Sequence, residues 1–146
     1  MTKTLLIILF IFGLQAGTLE KIKKECNTHN GESCTYLGIL YQVGQDVNKS
    51  IEKAGIYYIK ACDMNYSDGC IKLGDLYYFT QDLQNDNAKA ELYYDKSCKL
   101  KNKEGCRKFK ALVEENEELK QKKEELKRLK EEQKMLIIEA EMLDKL

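Results

Sequence analysis

Residues 54–77, AGIYYIKACDMNYSDGCIKLGDLY, decide the fold, because the chain repeats them. Displaced by 36 positions, Ala54-Gly-Ile-Tyr-Tyr-Ile-Lys60 falls on Ala90-Glu-Leu-Tyr-Tyr-Asp-Lys96, and Gly69-Cys70 falls on Gly105-Cys106. Displaced the other way, Leu73-Gly74-Asp-Leu-Tyr77 falls on Leu37-Gly38-Ile-Leu-Tyr41. The six cysteines obey the same rule: Cys26 and Cys34, Cys62 and Cys70, and Cys98 and Cys106 are each eight apart, and each pair follows the last by 36. A period of this length is the mark of stacked repeats, each too small to bury its apolar face alone.

Each unit reads as two helices. Over Ser50 to Asp63, apolar residues at 51, 54, 57, 58, 61 and 62 recur at spacings of three and four, one face of a helix. Ser50 is a plausible N-cap for it. The stretch from Asp63 to Gly69, rich in Asn, Ser and Asp, reads as a break. Ile71, Leu73, Leu76, Tyr77 and Phe79 form a second apolar face, with Ser67 as the expected cap, and a polar loop from Thr80 to Asn87 leads to the next unit. Gly38, Gly69, Gly74 and Gly105 fall inside these helical patterns, where Gly costs about 1 kcal/mol against Ala. Close approach of two helices is the expected compensation.

The cysteine spacing carries a geometric condition. Eight residues of unbroken helix rise about 12 Å, whereas the Cα atoms of a disulfide lie within roughly 7 Å. A bond between Cys62 and Cys70 therefore needs a reversal between them, and the turn-rich segment 63–68 sits there; 27–33 and 99–105 repeat the arrangement. Six cysteines allow 15 pairings in principle, and the repeat selects 26–34, 62–70 and 98–106. Each closed loop is worth about 2.5 kcal/mol in the chain-entropy account. A zinc site is the competing reading of paired cysteines, but this spacing is unusual for zinc and His29 is the one histidine. His29 reads as a solvated turn residue, and no metal or other cofactor is expected.

Alternating helices in a 36-residue unit, with Ala54, Tyr57, Tyr58, Lys60, Ala61 and Cys62, then Gly69 and Cys70, then Leu73, Gly74, Leu76 and Tyr77, resemble Sel1-like repeats. The paired cysteines in every unit resemble the secreted Helicobacter cysteine-rich proteins within that class. The resemblance covers about residues 18–110, in units of 18–53, 54–89 and 90–110 onward, and is weakest in the first, where Thr18 and Ile22 replace the Ala and Tyr. It implies an all-α fold, a right-handed α-solenoid of disulfide-stapled helix hairpins related to TPR repeats. It also implies a concave face that binds a protein or peptide ligand. Some cysteine-rich relatives are described as penicillin-binding with weak β-lactamase activity.

Residues 1–16, MTKTLLIILFIFGLQA, carry Lys3, an apolar run from Leu5 to Phe12 and a small residue, Ala16, before the first acid at Glu20. This is a signal-peptide pattern. The alternative, a membrane anchor, needs roughly 20 apolar residues, and this run ends at Gly13-Leu14-Gln15. Cleavage is expected after Ala16, with Gly17 second, leaving no stable membrane insertion and a periplasmic or secreted product. Outside the cytosol, disulfides are the natural state of paired cysteines.

The C-terminal segment, 111–146, differs in kind. Residues 114–134 are mostly charged, with Glu118–Lys122 and Glu124–Arg128 in the favourable i, i+4 order. No Gly or Pro follows Gly105, so one long charged helix is expected from about Gly105 to Lys145. Read as heptads, the a positions are Leu112, Leu119, Leu126, Gln133 and Ala140, and the d positions Glu115, Lys122, Leu129, Leu136 and Leu143. The charged d positions leave a poor seam until Leu126. Two readings stand: a solvated helix folding partly back as a cap on the array, or a coiled coil with a partner helix.

Of 146 residues, 24 are basic and 24 acidic, which gives no clustered positive charge for a nucleic acid. Catalytic chemistry is hard to assemble. Disulfide-bonded cysteines are not nucleophiles, and although Ser50-Ile-Glu-Lys53 matches S-x-x-K, the S-D-N and K-T-G partners of that β-lactamase pattern are missing. No catalytic residue is expected. Asn48-Lys-Ser50 and Asn65-Tyr-Ser67 fit the N-x-S acceptor of N-glycosylation, and both fit the longer acid-x-Asn-x-Ser pattern through Asp46 and Asp63. The expected function is an exported interaction module without catalysis of its own; a weak β-lactamase or cell-wall-peptide enzyme is the alternative.

Overall fold

A computed structural model describes residues 18–79 and 86–143. The export segment 1–16 and most of the loop expected at 80–87 lie outside the described residues. All regular structure among the described residues is helical: α1 (18–27), α2 (Gly31–Val43), α3 (Ile51–Asp63), α4 (Ser67–Phe79), α5 (Asn87–Lys99) and α6 (Lys103–Leu143). The chain divides into a repeat unit that ends at Phe109 and a tail that starts at Lys110.

In the repeat unit the helices pair as hairpins, and one turn geometry makes all three. His29, Asn65 and Lys101, 36 apart, adopt left-handed φ values of 70°, 60° and 64°. Each precedes a residue whose N–H reaches back to the helix it leaves: Asn30 to the Glu25 carbonyl at 3.1 Å, Tyr66 to that of Ala61 at 3.1 Å, Asn102 to that of Ser97 at 3.2 Å. This six-to-one bond after a left-handed residue closes the helix C-terminus. The same residue then opens the next helix. The Asn30 side chain accepts from the Ser33 N–H at 2.9 Å, and that of Asn102 from Glu104 and Gly105 at 3.0 and 3.2 Å.

The middle unit has Tyr66 at that position, which corrects the cap expected at Ser67. The repeated turn starts α4 at Ser67, so Ser67 is the first helical residue rather than the cap, and its hydroxyl accepts from Asn102 Nδ2 at 3.0 Å. Ser50 does cap α3, accepting from the Lys53 N–H at 3.2 Å.

The turns bring the cysteines together. Cys26–Cys34, Cys62–Cys70 and Cys98–Cys106 are bonded, with Cα separations of 4.6, 4.6 and 4.3 Å. Within hairpins a Cβ on Gly69 would run into Ala61, and one on Gly105 into Ser97. Between hairpins the Tyr58 ring lies on Gly38 and the Tyr94 ring on Gly74. The expected helix approach at these glycines is therefore present at all four.

Periodic contacts tie successive hairpins. Tyr41 stacks on Tyr57 with centroids 5.4 Å apart, and Tyr77 on Tyr93 at 5.7 Å. The Lys53 and Lys89 ammonium groups sit over the Tyr41 and Tyr77 rings at 5.3 and 5.1 Å. Such contacts contribute about 0.5–1.5 kcal/mol each beyond area burial. The core runs from Leu37, Leu40, Ala61 and the first disulfide to Ala54, Tyr58, Leu73 and Leu76.

The tail is the C-terminal part of one α-helix that ends at Leu143. All residues from 117 to 143 are exposed. Ion pairs along its own surface, Lys110–Glu114 and Lys122–Glu118 at 3.7 Å each, are the kind that adds only tenths of a kcal/mol.

Candidate functional site

The second helices of the hairpins, α2, α4 and the start of α6, wall a groove of about 450 Å³. On α2, Glu32, Thr35, Tyr36 and Ile39 share one face; on α4, Asp68, Ile71 and Lys72 do; Tyr66, Asn102 and Glu104 close the end where the turns lie. The volume falls in the ordinary range for binding clefts. Thr35 and Ile71 form a buried floor, while Glu32, Tyr36 and Asp68 are exposed at the rim.

Glu32, Asp68 and Glu104 are 36 apart, so each unit contributes one carboxylate at the same place. All three stand in the first turn of a second helix, where the partial positive charge of the helix end favours an anion. They differ in how far they are already engaged. Glu104 accepts from Arg107 Nε and Nη2 at 2.9 and 2.6 Å, which holds its carboxyl below the usual carboxylate range. Asp68 accepts from Asn102 Nδ2 at 2.8 Å. Lys72 adds one positive charge to the wall between them. Farther along the same row, Lys108 pairs with Asp75 at 2.9 Å, and the Tyr94 hydroxyl donates to Asp75 at 2.7 Å.

The carboxylate row was open to sequence reading at the repeat period, but an acid in the first turn of a helix also reads as a cap partner. Of the residues singled out earlier, the six cysteines lie in the three hairpin turns as staples. Asn48 is exposed in the loop between α2 and α3. Asn65 is exposed in the α3–α4 turn, inside the loop closed by Cys62–Cys70, and its side chain suits the left-handed conformation there. His29 is an exposed turn residue at the equivalent position. The Ser50 hydroxyl donates to Glu52 at 2.8 Å while capping α3, and the Lys53 ammonium rests over Tyr41. These contacts occupy both members of the S-x-x-K match with structural work. Among the described residues no cluster of His, Cys, Asp and Glu is arranged to hold a metal ion, and no helix is long and apolar enough to cross a membrane.

A Sel1 repeat profile matches residues 31–66 and 67–102, two windows with the 36-residue period that each begin on a second helix. No curated protein matches the sequence. Among solved structures, Helicobacter pylori cysteine rich protein B (hcpB) is similar, with 33% identity and a TM-score of 0.57. The match covers 60% of this chain and 66% of that one, so this chain spans just under two thirds of its length.

Proposed function

Because this chain belongs to the Sel1-like repeat proteins of the cysteine-rich Helicobacter type, we propose that it is an exported binding module whose groove holds an extended, positively charged peptide segment of a partner protein. The row of Glu32, Asp68 and Glu104 carries this reading. Helices packed side by side are about 8–10 Å apart, and an extended peptide advances about 3.3 Å per residue. Carboxylates on successive hairpins therefore match basic residues spaced about three apart. Thr35, Ile39 and Ile71 offer apolar floor between them, and Tyr36 and Tyr66 offer ring faces to a cation. Export is supported by the three disulfides and by the pattern of residues 1–16.

Titration calorimetry with the oxidised protein tests the groove. A Lys-x-x-Lys peptide should bind, a Glu-x-x-Glu peptide should not, and Glu32→Gln/Asp68→Asn should weaken binding roughly tenfold with a shallower salt dependence. Equal binding of both peptides, or an unchanged double variant, contradicts the proposal. The module is proposed to act without catalysis. Nitrocefin turnover that disappears in Ser50→Ala would overturn that part.

A further inference from the structure

The tail's exposed apolar residues are arranged for a definite occupant. Leu119, Leu126 and Leu129 lie on one side of α6 with about half their surface in water, and Leu136 and Leu143 continue the same stripe. A stripe of this length should not stay in water. Its flanks show what covers it. With Leu119, Leu126, Gln133 and Ala140 at a, all four flanking g positions are Glu118, Glu125, Glu132 and Glu139. The opposite e flank carries Lys123 and Lys130, then Ile137.

We propose that the tail pairs with the tail of a second copy, parallel and in register, as a two-stranded coiled coil over about residues 119–143. In a parallel pair each g residue meets the e residue five positions on in the other strand. Glu118 then faces Lys123 of the second copy, Glu125 faces Lys130 of the second copy, and both pairs occur twice. An antiparallel pair would set g against g and e against e, Glu on Glu and Lys on Lys. The charge pattern thus selects both the partner, an identical strand, and its direction. Gln133 meets its own equivalent at the centre of the seam, where a polar a residue fixes register. Lys122 at d weakens the N-terminal end, so the strongest pairing lies from Leu126 onward, where Ile137 widens the apolar contact. A pair joined through its tails carries two grooves in one particle, and a ligand with two basic segments would gain avidity from that.

Sedimentation equilibrium of the full oxidised protein over a range of concentrations tests the pairing. The expected result is a monomer–dimer equilibrium that Leu129→Asp/Leu136→Asp abolishes while the repeat region keeps its thermal transition. Glu118→Lys/Glu125→Lys alone and Lys123→Glu/Lys130→Glu alone should each lose dimer, and mixing the two variants should restore it as a heterodimer. Ala140→Cys should form an intermolecular disulfide between equal positions, which an antiparallel pair does not allow. A monomer at every concentration overturns the proposal. So does a dimer that survives the Leu129/Leu136 change, a failure of the Ala140→Cys link, or tail-dependent binding to anionic lipid vesicles in place of self-association.

Discussion

The hairpin of α3 and α4 and the tail of α6 are both helical and are held by opposite means. In the hairpin, Tyr58, Leu73 and Leu76 are buried, a disulfide closes the turn, and rings stack across to the neighbouring hairpins. In the tail, residues 117–143 are all exposed, and its i, i+4 ion pairs lie along a single helix. The difference follows from the two periods in the sequence. A 36-residue period builds units that must stack, and a 7-residue period leaves a helix with a long exposed apolar stripe, for which pairing with a second strand is proposed. Most helical stability in folded proteins comes from tertiary packing, so the hairpins are expected to be stable in one copy and the tail to gain its stability from the proposed pairing.

The largest effect that would break this contrast is at Tyr58. Its ring lies on Gly38 and its hydroxyl donates to Gln42 Oε1 at 2.6 Å. Tyr58→Ala should cost about 3–5 kcal/mol in chemical denaturation of the repeat region, whereas Leu126→Ala in a dilute monomer should cost under about 0.5 kcal/mol. Similar losses at the two sites would show that the tail belongs to the same core.

Next in size is the staple. Cys62→Ser/Cys70→Ser should remove about 2–3 kcal/mol from the repeat region and leave the tail's dimer constant unchanged. Because the middle unit joins the other two, protection from hydrogen exchange should fall across 31–99 rather than only in α3 and α4.

Alkali sharpens the contrast through phenol ionisation, which is confined to the repeats since no Tyr follows Tyr94. Burial raises the Tyr58 and Tyr94 phenols above their ordinary value near 10, and at Tyr94 the Asp75 carboxylate adds to the rise. Groups raised in the folded state stabilise it fully below their unfolded value. That contribution is lost as pH climbs above about 10 toward the folded values. The thermal midpoint of the repeats should therefore drop steeply above pH 10, tracked by phenolate absorbance. A repeat region whose midpoint is flat there would contradict the burial.

The smallest effect lies where the third unit departs from the second. Ser97 replaces Ala61, and its hydroxyl is buried with no hydrogen-bond partner among the described residues. Ser97→Ala should stabilise the repeats by about 1 kcal/mol, since an unsatisfied buried hydroxyl costs 1–3 kcal/mol. Destabilisation would mean that the hydroxyl has a partner.

Much of this was legible in the sequence, because the features that repeat are those that packing demands. The cysteine pairs, the helix glycines, the Ser50 cap and the long final helix all recur or stand out at fixed spacing. The turn chemistry was less legible. The left-handed position is filled by His29, Asn65 and Lys101, three different residue types of which Asn65 favours it most and Lys101 least. For the same reason Ser67 looked like a cap: Tyr66 holds the cap position in the middle unit without a capping side chain. The groove was hardest to see, since its carboxylates also satisfy helix ends and only the stacking of three hairpins puts them in one row.

Hydrogen exchange on the full oxidised protein, at low and high concentration, tests the contrast most directly. At low concentration, amides of α3 and α4 should be protected by orders of magnitude more than those of 119–143, and at high concentration the tail alone should gain protection. Tail amides as protected as those of α3 and α4 at low concentration, or unchanged on concentration, would contradict the account.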